Sequence, residues 1–176
     1  GFYVIWTVGM FAVAPLLIRM LNKVTYPQAY PAMGVDEALD RLGNEALLRN
    51  QQLIALGFAP ESATDLQEAK GLCLHYRQTT GAAVARLTYC KILSQQKVHL
   101  QFEQIYASGR VLCLSNMDQP SIFRGLYDDP DESFQLKRQK DAAVLFDNFK
   151  RIRSQMKMGM PAIPQPGSLA RREEDK

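Results

Sequence analysis

The sequence predicts an α+β protein: a single N-terminal transmembrane helix, then a helix, a four-stranded antiparallel meander and a C-terminal helix. Three observations predict it. Residues 1–18 carry no charge. Three segments between residues 71 and 107 alternate apolar and polar side chains, and a fourth, 111–115, is short and apolar. The segments on either side of them carry apolar residues at helical spacing. A length of 176 residues suits one domain with an anchor. The division expected is 1–22 anchor, 23–34 proline-containing spacer, 35–157 α+β domain and 158–176 flexible tail.

The anchor rests on length. A helix rises about 1.5 Å per residue, so about 20 residues cross a hydrocarbon core of about 30 Å. Arg19 ends the charge-free run and can snorkel to the headgroups. Tyr3 and Trp6 lie near the other end, where aromatic rings favour the interface. Pro15 kinks such a helix without excluding it from lipid. Arg19 and Lys23 follow the run and nothing basic precedes it. By the positive-inside rule the following domain belongs on the cytoplasmic side, or its organellar equivalent. The spacer holds Pro27 and Pro31 and reads as extended chain.

A helix is expected over residues 35–56. Val35, Leu39, Leu42, Ala46, Leu53 and Ile54 make its apolar stripe, and Glu37–Arg41 and Glu45–Arg49 are favourable i,i+4 pairs. Gly43 weakens its middle, and Gly57 is suited to the position just past its end. Strands are expected at 71–77, 82–93, 97–107 and 111–115, with a further short one near 64–69. Leu72, Leu74 and Tyr76 share one face of the first, and Cys73, His75 and Arg77 the other. Thr80-Gly81 and Ser108-Gly109 mark turns. Residues 121–133 read as an acidic loop. A last helix is expected over 139–156, with Ala142, Leu145, Phe149, Ile152 and Met156 facing inward.

The chemistry-bearing residues are few. Cys73, Cys90 and Cys113 lack C-x-x-C spacing and sit in apolar stretches, as buried thiols do. His75 or His99 beside a cysteine would make a nucleophilic pair, but no elbow or helix N-terminus presents one. The alternative for these positions is a half-exposed strand face. Cys73, His75, His99 and Cys113 lack the closely spaced ligand pairs of a zinc site. Asp128, Asp129, Asp131 and Glu132 lack the pattern of a calcium loop. No phosphate-binding glycine motif occurs, and Glu103 is a lone strand carboxylate. No catalytic residue, cofactor or metal is therefore predicted. A net charge of +3 gives no basis for nucleic-acid binding.

Lys137, Arg138, Lys140, Lys150, Arg151 and Arg153 make the last helix and its approach basic. That face suits anionic headgroups or an acidic partner protein, or is simply solvated. The expected function is a non-catalytic, membrane-anchored accessory subunit whose partners are membrane lipid and other subunits of a membrane complex. One alternative is a tethered ligand-binding or sensory domain with Tyr76, Tyr89, Phe102 and Tyr106 lining a pocket between sheet and helices. Another is an enzyme using His75 or His99.

Overall fold

Alternating segments separated by short turns pair with their chain neighbours, and that is what these segments do. The computed structural model describes residues 30–67, 70–92, 95–117 and 132–162. Over these, seven strands form one sheet in chain order: β1 (Ala32–Met33), β2 (Phe58–Leu66), β3 (Gly71–Gln78), β4 (Ala83–Ile92), β5 (Gln95–Ile105), β6 (Val111–Ser115) and β7 (Glu132–Gln135). Pairing is antiparallel from β1 through β6, and β7 runs parallel to β6. The described helices are α1 (Val35–Asp40), α2 (Asn44–Ala55) and α3 (Ala142–Gln155).

The four-stranded antiparallel meander is thus corrected to a seven-stranded mixed sheet. The four expected strands are its middle, β3 to β6. The further short strand expected near 64–69 overlaps only the end of β2, and the rest of β2 and the other additions were hidden for physical reasons. β1 is two residues long. β2 contains Pro60, and its register shifts between Pro60 and Ser62, which breaks the alternation. β7 is the short polar run Glu-Ser-Phe-Gln at the end of the expected loop. Its parallel pairing leaves no hairpin signal.

The membrane assignment is also corrected. Among the described residues no helix is long and apolar enough to cross a membrane. The single-pass character, and the placement of the domain on the cytoplasmic side of a membrane, are therefore not sustained. The run 1–22, with Tyr3, Trp6, Pro15, Arg19 and Lys23, lies outside the described residues.

The helix expected over 35–56 is two helices. Gly43 caps α2 in an extended conformation, and a Cβ there would press on the Gln96 side chain and the Tyr89 hydroxyl. Gly57 takes φ +84°, the left-handed turn that ends α2. Phe58 then enters the core directly. Arg49 keeps its partner Glu45 at 3.8 Å, whereas Arg41 reaches across to Asp65 at 3.0 Å.

One sheet face carries Leu72, Leu74, Tyr76, Ala85, Leu87, Leu100, Phe102, Leu112 and Leu114. They pack with Ala38, Ala46 and Leu53 of α1 and α2, and with Leu145, Phe146 and Phe149 of α3. Phe146 is the hub: its ring lies 5.1 Å from both Phe58 and Phe102 and 6.3 Å from Phe149. Asp141 caps α3 by accepting from the Ala143 and Val144 N–H groups at 2.8 and 3.1 Å. Gln52 of α2 donates to Asp141 at 3.4 Å and accepts from the Ala142 N–H at 3.3 Å, so the two helices share one cap.

Strand β4 begins at Ala83, opposite Gln104, so residues 105–107 extend past it. The chain after α3 fills that edge. Ala107 N–H donates to the Met160 carbonyl at 2.9 Å, and Ala162 N–H donates to the Ile105 carbonyl at 2.8 Å. Met158 is buried beneath this strap.

Replacing Phe146 with alanine removes the ring that joins three others. Equilibrium urea unfolding should show a loss of about 3–5 kcal/mol. Val144, on the exposed side of the same helix, should cost under about 0.5 kcal/mol on the same change.

Candidate functional site

The second sheet face carries the unusual chemistry. Residues opposite one another across paired strands form rows. Ser62, His75, Arg86, Gln101 and Ser115 make one row across β2 to β6. Thr64, Cys73, Thr88 and His99 make the next. Val84, Glu103 and Cys113 flank the first row on its other side.

These side chains were expected on a half-exposed face. The structure buries them: His75 and Cys73 are 0% exposed, Thr88 1%, Cys113 4%, and Arg86 and Glu103 6% each. They belong to a set separate from the core that the helices share. Both faces of the sheet are therefore withdrawn from solvent, one apolar and one polar.

Burying a charge requires a partner. The Arg86 guanidinium stands 3.5 Å from the Glu103 carboxylate. Gln101 Nε2 donates to the same carboxylate. Thr88 Oγ1 donates to the Cys73 sulfur at 3.6 Å. Thr64 Oγ1 and His75 Nε2 share a hydrogen bond at 3.1 Å. At the rim, Arg77 makes a close pair with Glu61 at 2.7 Å.

This setting shifts the titration of His75, Cys90 and Cys113. Burial, aided by the Arg86 charge, lowers the His75 pKa from 6.5 to about 3, so the imidazole is neutral at neutral pH. Burial pushes the Cys113 thiol well up, with the Glu103 charge adding to the effect and Arg86 opposing it. Burial likewise raises Cys90, against the pull of Lys97. A thiol so shifted supplies no thiolate nucleophile. All three cysteines are buried thiols in no disulfide, as their apolar context predicts. Among the described residues no three His, Cys, Asp or Glu side chains converge as a metal site requires.

The aromatic side chains expected to line a pocket between sheet and helices belong to the packed core. Tyr76 and Phe102 are 0% exposed. Tyr76 Oη donates to Asn50 Oδ1 at 2.9 Å, and burial drives its phenol pKa upward. Phe58, Phe146 and Phe149 occupy the remaining space around Phe102.

The six basic residues do not form one continuous face. Lys137, Arg138 and Lys140 are exposed on the connection into α3, where Arg138 takes φ 67°. Lys140 spends its charge on Glu45 at 3.1 Å. Lys150 lies 2.7 Å from Asp147 and 5.2 Å above the Phe146 ring. Arg151 donates to Asn148 Oδ1 at 2.6 Å. Arg153 turns inward and approaches Gln104 Oε1 at 3.5 Å.

Sequence reasoning did not single out Arg86, Gln101, Thr88 or Gln104, because alternation alone marks polar positions as solvent-facing. One signal was available. All three cysteines lie on that same face, and free cysteine is among the most buried residue types. No protein family matches this sequence, and no curated protein or solved structure matches it either.

His75 makes stability depend on pH with a definite sign. Above about pH 6.5 it is neutral in both states and contributes no slope. As pH falls, the unfolded chain binds a proton that the folded chain refuses. Stability should therefore fall by about 1.4 kcal/mol per pH unit from this group alone as pH drops from 6.5 towards about 3. Urea titrations across that window should show a shallower acid slope for His75→Gln, by about one proton.

Proposed function

We infer that the chain is a non-catalytic interaction domain that binds an acidic surface of a partner protein. One observation carries this reading: among the described residues Cys73, His75, Glu103 and Cys113 are shut in the second sheet face, while Lys137, Arg138, Lys150 and Arg151 stand exposed around α3. Lys137 and Arg138 project beside the α2–α3 junction, and Lys150 and Arg151 lie further along the helix. Apolar contact is available close by. Leu48 stands one turn from Gln52, which touches the start of α3, and Val144 lies in the first turn of α3. They are 48% and 43% exposed. Exposed apolar side chains with polar residues around them are a usual composition for a protein-binding surface.

The test uses the full chain recovered from its native source. A stoichiometric protein partner should co-purify and dissociate as salt is raised, since exposed charges are screened over about 8–10 Å near physiological ionic strength. Reversing Lys137, Arg138, Lys150 and Arg151 to glutamate should weaken the complex at least about tenfold without loss of fold. A folded His75→Gln or Cys113→Ser chain should bind as wild type. Loss of the chain's cellular activity in these two variants, with partner binding intact, would point to an enzyme instead.

A further inference from the structure

The apolar core has one polar end. Along β5 the core-facing positions run Leu100, Phe102 and Gln104, and Tyr106 follows on the same face. On α3, Arg153 stands one turn beyond the fully buried Phe149 and faces the same place. The rings of Phe102 and Phe149 therefore give way to a carboxamide, a phenol and a guanidinium. The strap closes this end. Tyr106 pairs with Pro161 in an isolated antiparallel bridge, and Met158 is buried beside it.

The hydrogen-bonding capacity here is unbalanced. Gln104 is 0% exposed, and its Nε2 donates to the Ala82 and Ile105 carbonyls at 3.1 and 2.9 Å. Those bonds fix the amide with Oε1 towards Arg153, at a long 3.5 Å. Arg153 carries five N–H donors, and no described carboxylate pairs with it. Tyr106 is 3% exposed, and its buried hydroxyl has no hydrogen-bond partner among the described residues. The Arg153 charge also acts on that phenol, opposing the upward push of burial on its pKa. Of the two donor groups, only Arg153 therefore reaches an acceptor, and that at a long distance. Buried polar groups are normally satisfied, and an orphan destabilises the fold unless something answers it.

We propose that this polar end of the core, formed by Tyr106, Gln104 and Arg153 beneath the 158–162 strap, binds a small oxyanion such as a carboxylate or phosphate. The anion oxygen accepts from the Arg153 guanidinium and from Tyr106 Oη, supplying the acceptor that the protein withholds. Arg153 is partly exposed, so its guanidinium is the part of the site within reach of solvent. The site is separate from the exposed cations of the partner surface, and neither reading depends on the other.

The side-chain Nε–Hε resonance of Arg153 in the full-length chain reports on it directly. Inorganic phosphate and acetate are titrated separately, each against sodium chloride at matched ionic strength. The expected result is a saturable shift at Arg153 with phosphate, acetate or both, and none with chloride. Whichever anion responds identifies the chemistry. Arg153→Gln is then followed through the Ala107 and Ala162 amides and should abolish the response. Tyr106→Phe removes only the orphan hydroxyl, so it should fold normally and bind the responding anion about tenfold more weakly, the scale of one hydrogen bond to a charged group. The proposal is overturned if chloride gives the same response, if only Lys150 and Arg151 respond, or if Tyr106→Phe binds as wild type. A crystal structure grown in phosphate that shows only water between Tyr106 and Arg153 overturns it as well.

Discussion

Arg86 and Glu103 face each other in the middle of a sheet that is buried on both sides, and much of the molecule follows from that constraint. A charge removed from water must be neutralised nearby. The pair spans the two central strands, one charge on each, and Gln101 supplies a further donor to the carboxylate. The same guanidinium helps hold His75 neutral. Slipping any of these strands by one residue would carry Arg86 or Glu103 to the face lined by phenylalanine and leucine. The ion pair and the aromatic cluster therefore specify the same register from opposite sides of the sheet.

The helix-covered face provides the bulk of the apolar burial, and its design is consistent with the polar face. Large rings stand at the centre, and small residues stand where backbones approach. Gly71 shows how closely the strands come: a Cβ there would meet the Cys90 Cα at 2.9 Å and collide with the Tyr89 carbonyl. Where the apolar filling runs out, at Gln104 and Tyr106, polar groups appear again and the strap after α3 covers them. Among the described residues the three cysteines, His75 and Glu103 lie in the interior.

The central part of this fold was legible in the sequence. The sequence pattern marked β3 to β6, and alternation placed Leu72, Leu74 and Tyr76 on one face of β3 with Cys73, His75 and Arg77 on the other, as the burial shows. Gly57 marked the end of α2, and the stripe from Ala142 to Phe149 marked α3. The remainder was not legible, because its signals are not local. Strand β2 has a proline and a register shift, β1 exists only by pairing with Ala63 and Thr64, and β7 is a polar segment recruited by β6. The candidate site was legible only in its residue types. Sequence placed Cys73, His75 and Glu103 on strands, but period-two alternation cannot distinguish a polar face in water from a polar face in the interior. The basic residues near α3 were legible as a cluster. That Arg153 leaves this cluster to meet Gln104 depends on contacts between elements 49 residues apart in sequence.

The central claim is that the buried Arg86–Glu103 pair holds the sheet together. A double-mutant cycle on Arg86→Met and Glu103→Leu, read by urea unfolding, tests it most directly. Each single change leaves a buried charge without its partner and should cost about 3–5 kcal/mol, while the double change should cost less than either, giving a coupling of several kcal/mol. Single changes that leave stability intact, or costs that simply add, would contradict the account.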